Sequence, residues 1–344
     1  MHRVIGGEFD IDINEISTGN PKTIDGAFFS SGRAALYHIL LDIQNNSRYK
    51  NILLPDYLCE SVLDTVRRFQ FKIGFYELDL NLSIDEADFS RKYTAGTIVL
   101  IINFFGYSDC ASQIKFIRSH AADACIIEDN VQAFYEMKHD SDSDYSFTSF
   151  RKAFAVPDGA VVKSKSGRIR SAVDENTFAE YKSAAAILKH ISFSDTVDEN
   201  KYLDLFRKGE SKIDENINAK MSGFTATILS ATNFSTIAEK RIENATFIIE
   251  GLSELNIKPV LPLDSAKVPL FVPIRLKNRD AVRSELFKKN TFCPVHWPLP
   301  TGYELTRGQE MAENELSIII DQRCSIDDMK RILNVLKKTG AHGI

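Results

Sequence analysis

Along the first part of the chain, apolar runs of strand length alternate with apolar residues at helical spacing. Phe28-Phe29 leads into Ser30-Ser31-Gly32, after which Ala34, Ala35, Leu36, Ile39, Leu40 and Ile43 recur on one helical face. A short strand at 52–54 follows, then a helix over about 57–69 and a strand at 73–76. A continuous apolar strand over 97–102, a helix over 113–122 and a strand at 125–127 complete the series. Strands and helices in turn predict an α/β domain built on a mostly parallel sheet.

After Asp129 the rhythm changes to short β-like pieces at 145–150 and 160–163, joined by the turn Pro157-Asp158-Gly159. Residues 177–190 and 225–255 read as helices, the second long enough to connect two domains. The polar, charged stretch 192–210 reads as an exposed loop. Beyond it, a strand at 270–276, a helix at 281–289, a proline-rich loop around His296, a strand at 317–320 and a helix at 326–338 suggest a small α+β unit. The expected division is a large domain over 1–255 and a small C-terminal domain over 256–344. No internal repeat, heptad pattern or low-complexity tract is present.

Composition narrows the classes. With 344 residues, 44% apolar residues and a formal charge of −5, the chain is an ordinary globular protein, long enough for one large core and a satellite. Without clustered Lys and Arg, a nucleic-acid partner is not expected. The segment Met1-His2-Arg3-Val4-Ile5-Gly6-Gly7-Glu8 lacks the apolar centre of a secretion signal, and runs such as 98–102 are too short to span a bilayer, so a cytoplasmic protein with no membrane partner is expected. The five cysteines, Cys59, Cys110, Cys125, Cys293 and Cys324, are scattered without paired spacing, which fits neither disulfides nor a metal site.

Four segments of the large domain offer chemistry. Ser31-Gly32-Arg33-Ala34 opens a helix after a strand, where exposed N–H groups and the positive helix end suit a phosphate, although a plain serine N-cap reads the same way. Glu128-Asp129-Asn130-Val131-Gln132 puts a carboxylate at the end of a buried strand, the edge where open α/β sheets bind ligands; the alternative is a helix cap. Ser149-Phe150-Arg151-Lys152 offers a lysine for covalent catalysis, or simply a solvated one. Asn103-Phe104-Phe105-Gly106 ends another strand and suits a cleft wall or a turn.

Taken in this order the segments resemble the fold-type I enzymes of pyridoxal 5′-phosphate, most closely the DegT-type sugar aminotransferase family, over nearly the whole chain. The resemblance implies a large domain with a seven-stranded, mostly parallel sheet. It also implies a cofactor phosphate on Gly32, Arg33 and Ala34, Asp129 on the pyridinium nitrogen, and Gln132 near the cofactor's 3′-oxygen. Asn103 matches the family's strand end. Asn218, in Asn218-Ala219-Lys220-Met221-Ser222, matches an asparagine that reaches the cofactor phosphate of a neighbouring subunit, implying a homodimer with shared active sites. The Pro55-Asp56-Tyr57-Leu58-Cys59 loop resembles the segment that stacks on the cofactor ring, with Tyr57 or Cys59 in that place.

The clearest departure is at the lysine. Counting from Ser149-Phe150 puts Phe154 in the family's lysine position, and the usual glycine turn is replaced by Pro157-Asp158-Gly159-Ala160. Either the loop is shortened, or Ser146-Phe147 is the family's pair and the lysine comes one residue late. Both readings lead to Lys152 as the cofactor-binding lysine and general acid–base, with Ser149 and Ser146 as candidates for the phosphate. In the small domain His296 and Arg323 are candidates for a substrate carboxylate, the alternatives being a turn cap for His296 and an ion pair with Asp321 or Asp327 for Arg323. The resemblance thus implies transfer of an amino group, from glutamate, to a keto sugar nucleotide in amino-sugar or surface-polysaccharide synthesis. A pyridoxal enzyme of small keto or amino acids and a catalytically silent cofactor- or sugar-binding relative remain as rivals.

Overall fold

The computed structural model describes residues 4–11, 24–46, 49–138, 141–194, 197–264 and 266–344. Met1, His2 and Arg3 of the N-terminal reading lie outside them. The strands are β1 (Ile5–Gly6), β2 (Ala27–Phe29), β3 (Asn51–Pro55), β4 (Lys72–Tyr76), β5 (Thr97–Ile102), β6 (Cys125–Asp129), β7 (Tyr145–Ser149), β8 (Ala160–Ser164), β9 (Phe271–Arg275), β10 (Thr291–Phe292) and β11 (Glu315–Ile319). The helices are α1 (Gly32–Asn46), α2 (Glu60–Val66), α3 (Glu86–Lys92), α4 (Cys110–His120), α5 (Ala179–Ile191), α6 (Glu199–Ser211), α7 (Gly223–Ala231), α8 (Phe234–Glu254), α9 (Arg279–Lys288), α10 (Thr306–Asn314) and α11 (Ile326–Lys338).

Seven strands form one sheet in the order β2-β8-β7-β6-β5-β3-β4. The pairs from β4 through β7 are parallel, and β8 runs antiparallel to both its neighbours. The interior strand β5 is buried along its whole length, which is why its sequence is uninterrupted in apolar residues from Ile98 to Ile102. Each wholly buried Ile or Leu there contributes roughly 1.5–3 kcal/mol. Parallel pairing aligns the carboxyl ends of β5, β6 and β7, with Asp129 opposite Ile102 on one side and Phe147 on the other.

A second core joins β9, β11, α9 and α11, and it also takes in Ile5 and Ala245, Ile248 and Leu252 of α8. Strand β1 pairs with β10 in parallel. A cut of the chain at residue 255 therefore separates Ile5 and half of α8 from the core they fill. A third cluster, with Phe134, Phe150, Phe154 and Phe234, lies beneath the segment that carries Lys152.

Two segment readings change. The stretch 192–210 contains a helix, α6, capped by the Asp198 side chain. Its apolar residues are few, but Tyr202 and Gly209 are buried, and a Cβ on Gly209 would come within 2.6 Å of Lys182 Cγ on α5. Close approach to α5 stabilises it in place of a broad apolar face. The single helix expected over 225–255 is two, because Asn233 Oδ1 accepts from the amides of Ser235 and Thr236 and starts α8 afresh.

Candidate active site

A cavity of about 550 Å³ opens where the carboxyl ends of β5, β6 and β7 meet the start of α1. Segments of the second core close it around Pro294, His296, Ile319 and Arg323, and the strap Gly6-Gly7-Glu8-Phe9 crosses one side. This is the edge at which open α/β sheets place ligands, because strand-to-helix turns there leave side chains and helix N-termini free.

Lys152 ends a single 3₁₀ turn that follows β7. The turn is held by Phe150 N–H donating to Gly159 O at 3.0 Å, with Phe154 buried in the aromatic cluster behind it. Phe154 thus points into a core, and among the described residues Lys152 is the one lysine on the cavity wall. It is open to the cavity, yet protein surrounds that space. Burial lowers its ammonium pKa and Arg151 lowers it further, against Cys59, Glu8 and Glu210. A lysine with this tendency is suited to nucleophilic and proton-transfer work.

Asp129 is buried on the same wall, its Oδ1 accepting from Val131 N–H at 2.8 Å. Burial pushes its carboxyl up to about 7, although the Val131 amide and Lys152 pull the other way. It is a carboxylate short of a cation. Gln132 lies beside it, oriented by accepting the Phe105 amide on Oε1 at 2.8 Å. Phe105 and Gly106 both have positive φ, 56° and 92°, and a Cβ on Gly106 would stand 2.8 Å from the carbonyls of Gln132 and Val268. The strand end thus needs glycine for close approach.

At the start of α1, Ser31 Oγ accepts from the Ala34 amide at 3.2 Å. Ser31, Gly32 and Arg33 reach the cavity, as does Ser149. A Cβ on Gly32 would meet Val131 Cγ2 at 3.3 Å and Ser149 Cβ at 3.4 Å, so the glycine keeps this corner open. Asp158, in the turn that replaces the family's glycines, is buried and accepts from Ser222 N–H and Oγ, each at 2.7 Å, from Asn176 Nδ2 at 2.6 Å, and from Thr225 Oγ1. It ties the loop after Lys152 to the N-cap of α7.

Not every expected residue reaches the wall. Ala34 is buried inside α1 with its amide taken by Ser31. Asn103 is buried between Asn130 and Ser108 and holds the ends of β5 and β6 together. Ser146 is buried in β7 opposite Glu128 and Lys163, leaving Ser149 as the serine on the cavity. Tyr57 is buried, donates to His296 O at 2.6 Å, and packs on Phe104 and Trp297, so it braces the His296 loop while Cys59 takes the wall position. Asn218 is exposed and away from the cavity of its own chain.

His296 and Arg323 both line the cavity. Arg323 is already engaged: Nε and one Nη hydrogen-bond Asp321, both Nη groups hold the carbonyls of Gly7 and Glu8, and the guanidinium lies 4.1 Å from the centre of the Phe9 ring. In this conformation it fastens the N-terminal strap.

Sequence reasoning did not single out Glu8, Arg151, Glu210 and Arg241, all on the wall. Glu210 accepts from Arg33 at 3.0 Å, from Arg151 at 3.1 and 3.4 Å, and from Lys182 at 2.7 Å. Burial alone would raise its carboxyl, but Arg151, Lys182 and Arg33 bring it down to about 2. Arg241 joins the Leu270 and Ala153 carbonyls. It shares the buried face of α8 with Asn244, Ala245, Ile248 and Leu252, and a charged residue on this mostly apolar face was a readable signal.

The class that these features define is the fold-type I transferase architecture: a mostly parallel seven-stranded sheet, with the cavity closed by a C-terminal unit. No family pattern and no curated protein matches the chain by sequence. Among solved structures it is similar to NtdA from Bacillus subtilis with bound cofactor PMP, at TM-score 0.65 and 15% identity over 91% of this chain and 73% of that one. It is similar to a DegT DnrJ EryC1 StrS aminotransferase from Brucella abortus, at TM-score 0.62 and 15% identity, covering 92% of this chain and 86% of that one. It is also similar to the sugar aminotransferase CalS13 from Micromonospora echinospora, at TM-score 0.61 and 13% identity, covering 90% and 87%. The fold is therefore the one that these solved structures share.

Proposed function

We propose that this chain is a pyridoxal-phosphate-dependent aminotransferase that passes an amino group from glutamate to a keto sugar carried on a nucleotide, in amino-sugar or surface-polysaccharide synthesis. The observation that carries the reading is the placing of Lys152, Asp129, Gly32 and Ser149 on one cavity wall at the carboxyl edge of the sheet. The residues fit the cofactor. The open corner at Gly32, with Ser31, Arg33 and Ser149 around it, suits a phosphate, and the buried Asp129 lacks the cation that a protonated ring nitrogen would supply.

When bound, the cofactor supplies the electron sink for bond-breaking at the amino-bearing carbon. The chain's own residues do the rest. Lys152 would hold the cofactor's carbonyl carbon and would move a proton as base and then as acid; its lowered pKa suits both roles. Asp129 would pair with the ring nitrogen and favour its protonated form, and Gln132 would lie near the ring oxygen. Of the two candidates for the ring face, Tyr57 and Cys59, Cys59 is the one on the cavity wall and would lie against the ring. Asn218, exposed in its own chain, reaches the partner's phosphate in a homodimer.

The test is a half-reaction. Protein loaded with pyridoxal phosphate should lose its visible absorption on adding glutamate and regain it on adding a keto sugar nucleotide. No spectral change with any amino donor rejects the reading. Turnover with small keto acids alone assigns the chain to the rival class of amino-acid enzymes.

A further inference from the structure

We infer that His296 is a specificity residue that reads a hydroxyl group of the acceptor through an unprotonated Nε2; the inference rests on the sugar aminotransferase reading of the cavity. His296 lies in the loop after β10, its backbone N–H donating to Glu315 Oε2 at 2.7 Å. Its Nδ1 is 3.0 Å from Ser317 Oγ, and Ser317 Oγ is 2.5 Å from Glu315 Oε1. Glu315 and Ser317 are both wholly buried on β11.

The direction of each bond follows from counting protons. A carboxylate only accepts, so the single hydroxyl proton of Ser317 goes to Glu315. Toward His296 the serine has only lone pairs, so Nδ1, which also lies 3.8 Å from Glu315 Oε1, carries a proton, and in the neutral ring this is the only one. Nε2 is then a bare acceptor. Among the described residues it has no hydrogen-bond partner, while the ring itself lines the cavity.

The surroundings select the ligand. Rings of Phe105, Phe271 and Trp297 stand 5.7, 5.2 and 5.4 Å from the imidazole. A carboxylate, itself an acceptor, would meet the Nε2 lone pair with no proton between them. A hydroxyl has the proton to give, and the C–H face of a sugar ring suits Phe271 and Trp297, the two of these rings that line the cavity. The carboxylate role considered for His296 is thus replaced by hydroxyl recognition, with Glu315 and Ser317 as positioning residues that fix the tautomer.

Two measurements on the pyridoxal-phosphate-loaded protein test this. Long-range ¹H–¹⁵N correlation spectra of histidine-labelled protein at pH 8, assigned with His296→Gln, should show the Nδ1–H tautomer for His296; the Nε2–H tautomer overturns the inference. Calorimetric titration should then compare UDP-glucose with its 2-, 3- and 6-deoxy analogues. The wild type should bind one analogue about three- to tenfold more weakly than the parent sugar. His296→Ala should erase that difference and His296→Gln, whose amide oxygen also accepts, should partly restore it. An unchanged order of affinities in His296→Ala, or no saturable binding of any of these sugars, overturns the inference. A wild type that forms no borohydride-reducible lysine adduct instead rejects the aminotransferase reading and leaves the tautomer result standing.

Discussion

The carboxylate of Glu210 accepts from both terminal nitrogens of Arg151, the residue immediately before Lys152, at 3.1 and 3.4 Å. The same carboxylate receives Arg33 at the start of α1 and the buried Lys182 of α5. One acid on a helix read as a loop thus ties the lysine turn to the start of α1. Arg33 is held at the cavity by this contact.

Removing that acid leaves the buried Lys182 ammonium with only the longer contact to Glu8 Oε1, at 3.5 Å. Glu210→Gln should cost about 2 kcal/mol of stability in urea unfolding, chiefly through Lys182. Adding Lys182→Met should recover at least about 1 kcal/mol of it, a coupling that a double-mutant cycle reads directly. Strictly additive losses would show that the two side chains do not depend on each other.

The Asp129 carboxyl, pushed up to about 7 by burial, makes cofactor-free stability depend on pH. A carboxyl raised above its unfolded value of about 4 binds its proton more tightly in the folded chain. Its contribution is therefore full below pH ~4 and is lost as pH rises through about 7. Thermal melts of cofactor-free wild type from pH 5 to 8 should show a falling Tm, and Asp129→Asn should flatten the trend. Identical trends in both proteins would contradict this assignment.

Gly106 should not tolerate a side chain. With φ at 92° and two carbonyls 2.8 Å from any Cβ, Gly106→Ala should destabilise the fold by about 3 kcal/mol and weaken cofactor binding, because the Phe105 amide that orients Gln132 moves with it. A loss under about 0.5 kcal/mol in denaturant titration would rule out the close approach.

Asp158 is expected to act on the lysine loop without touching the cofactor. Asp158→Ala leaves Ser222, Thr225 and Asn176 without their shared acceptor, which should cost about 3 kcal/mol and slow covalent capture of pyridoxal phosphate. Stopped-flow absorbance would follow the capture step. An unchanged rate would mean that the loop holds its shape without the carboxylate.

How much was legible in the sequence varies with the kind of signal. Continuous apolar strands such as β5 and the amphipathic α11 stand out because burial alone dictates their residues. Lys152, Asp129, Gly32 and Ser149 stand out because motif order brings them to strand ends and helix starts, which the parallel sheet aligns. Less legible was whatever depends on a partner distant in sequence. Helix α6 is stabilised by close approach to α5, and Glu210 has meaning only beside Arg33, Arg151 and Lys182. Tyr57 and Cys59 could not be told apart because two residues along a loop can point to opposite sides. The Arg323–Asp321 ion pair was among the sequence readings, but the partners of His296 in β11 and of Arg323 in the N-terminal strap are distant in sequence, and no spacing rule reveals them.

The central claim is that Lys152 carries the cofactor, and it can be read at one residue. Protein incubated with pyridoxal phosphate, reduced with borohydride, digested and analysed by mass spectrometry should carry the pyridoxyl mass on the peptide containing Lys152. Lys152→Ala should carry none there and should lose the visible band. A modified peptide without Lys152, or an unmodified wild type, would contradict the account.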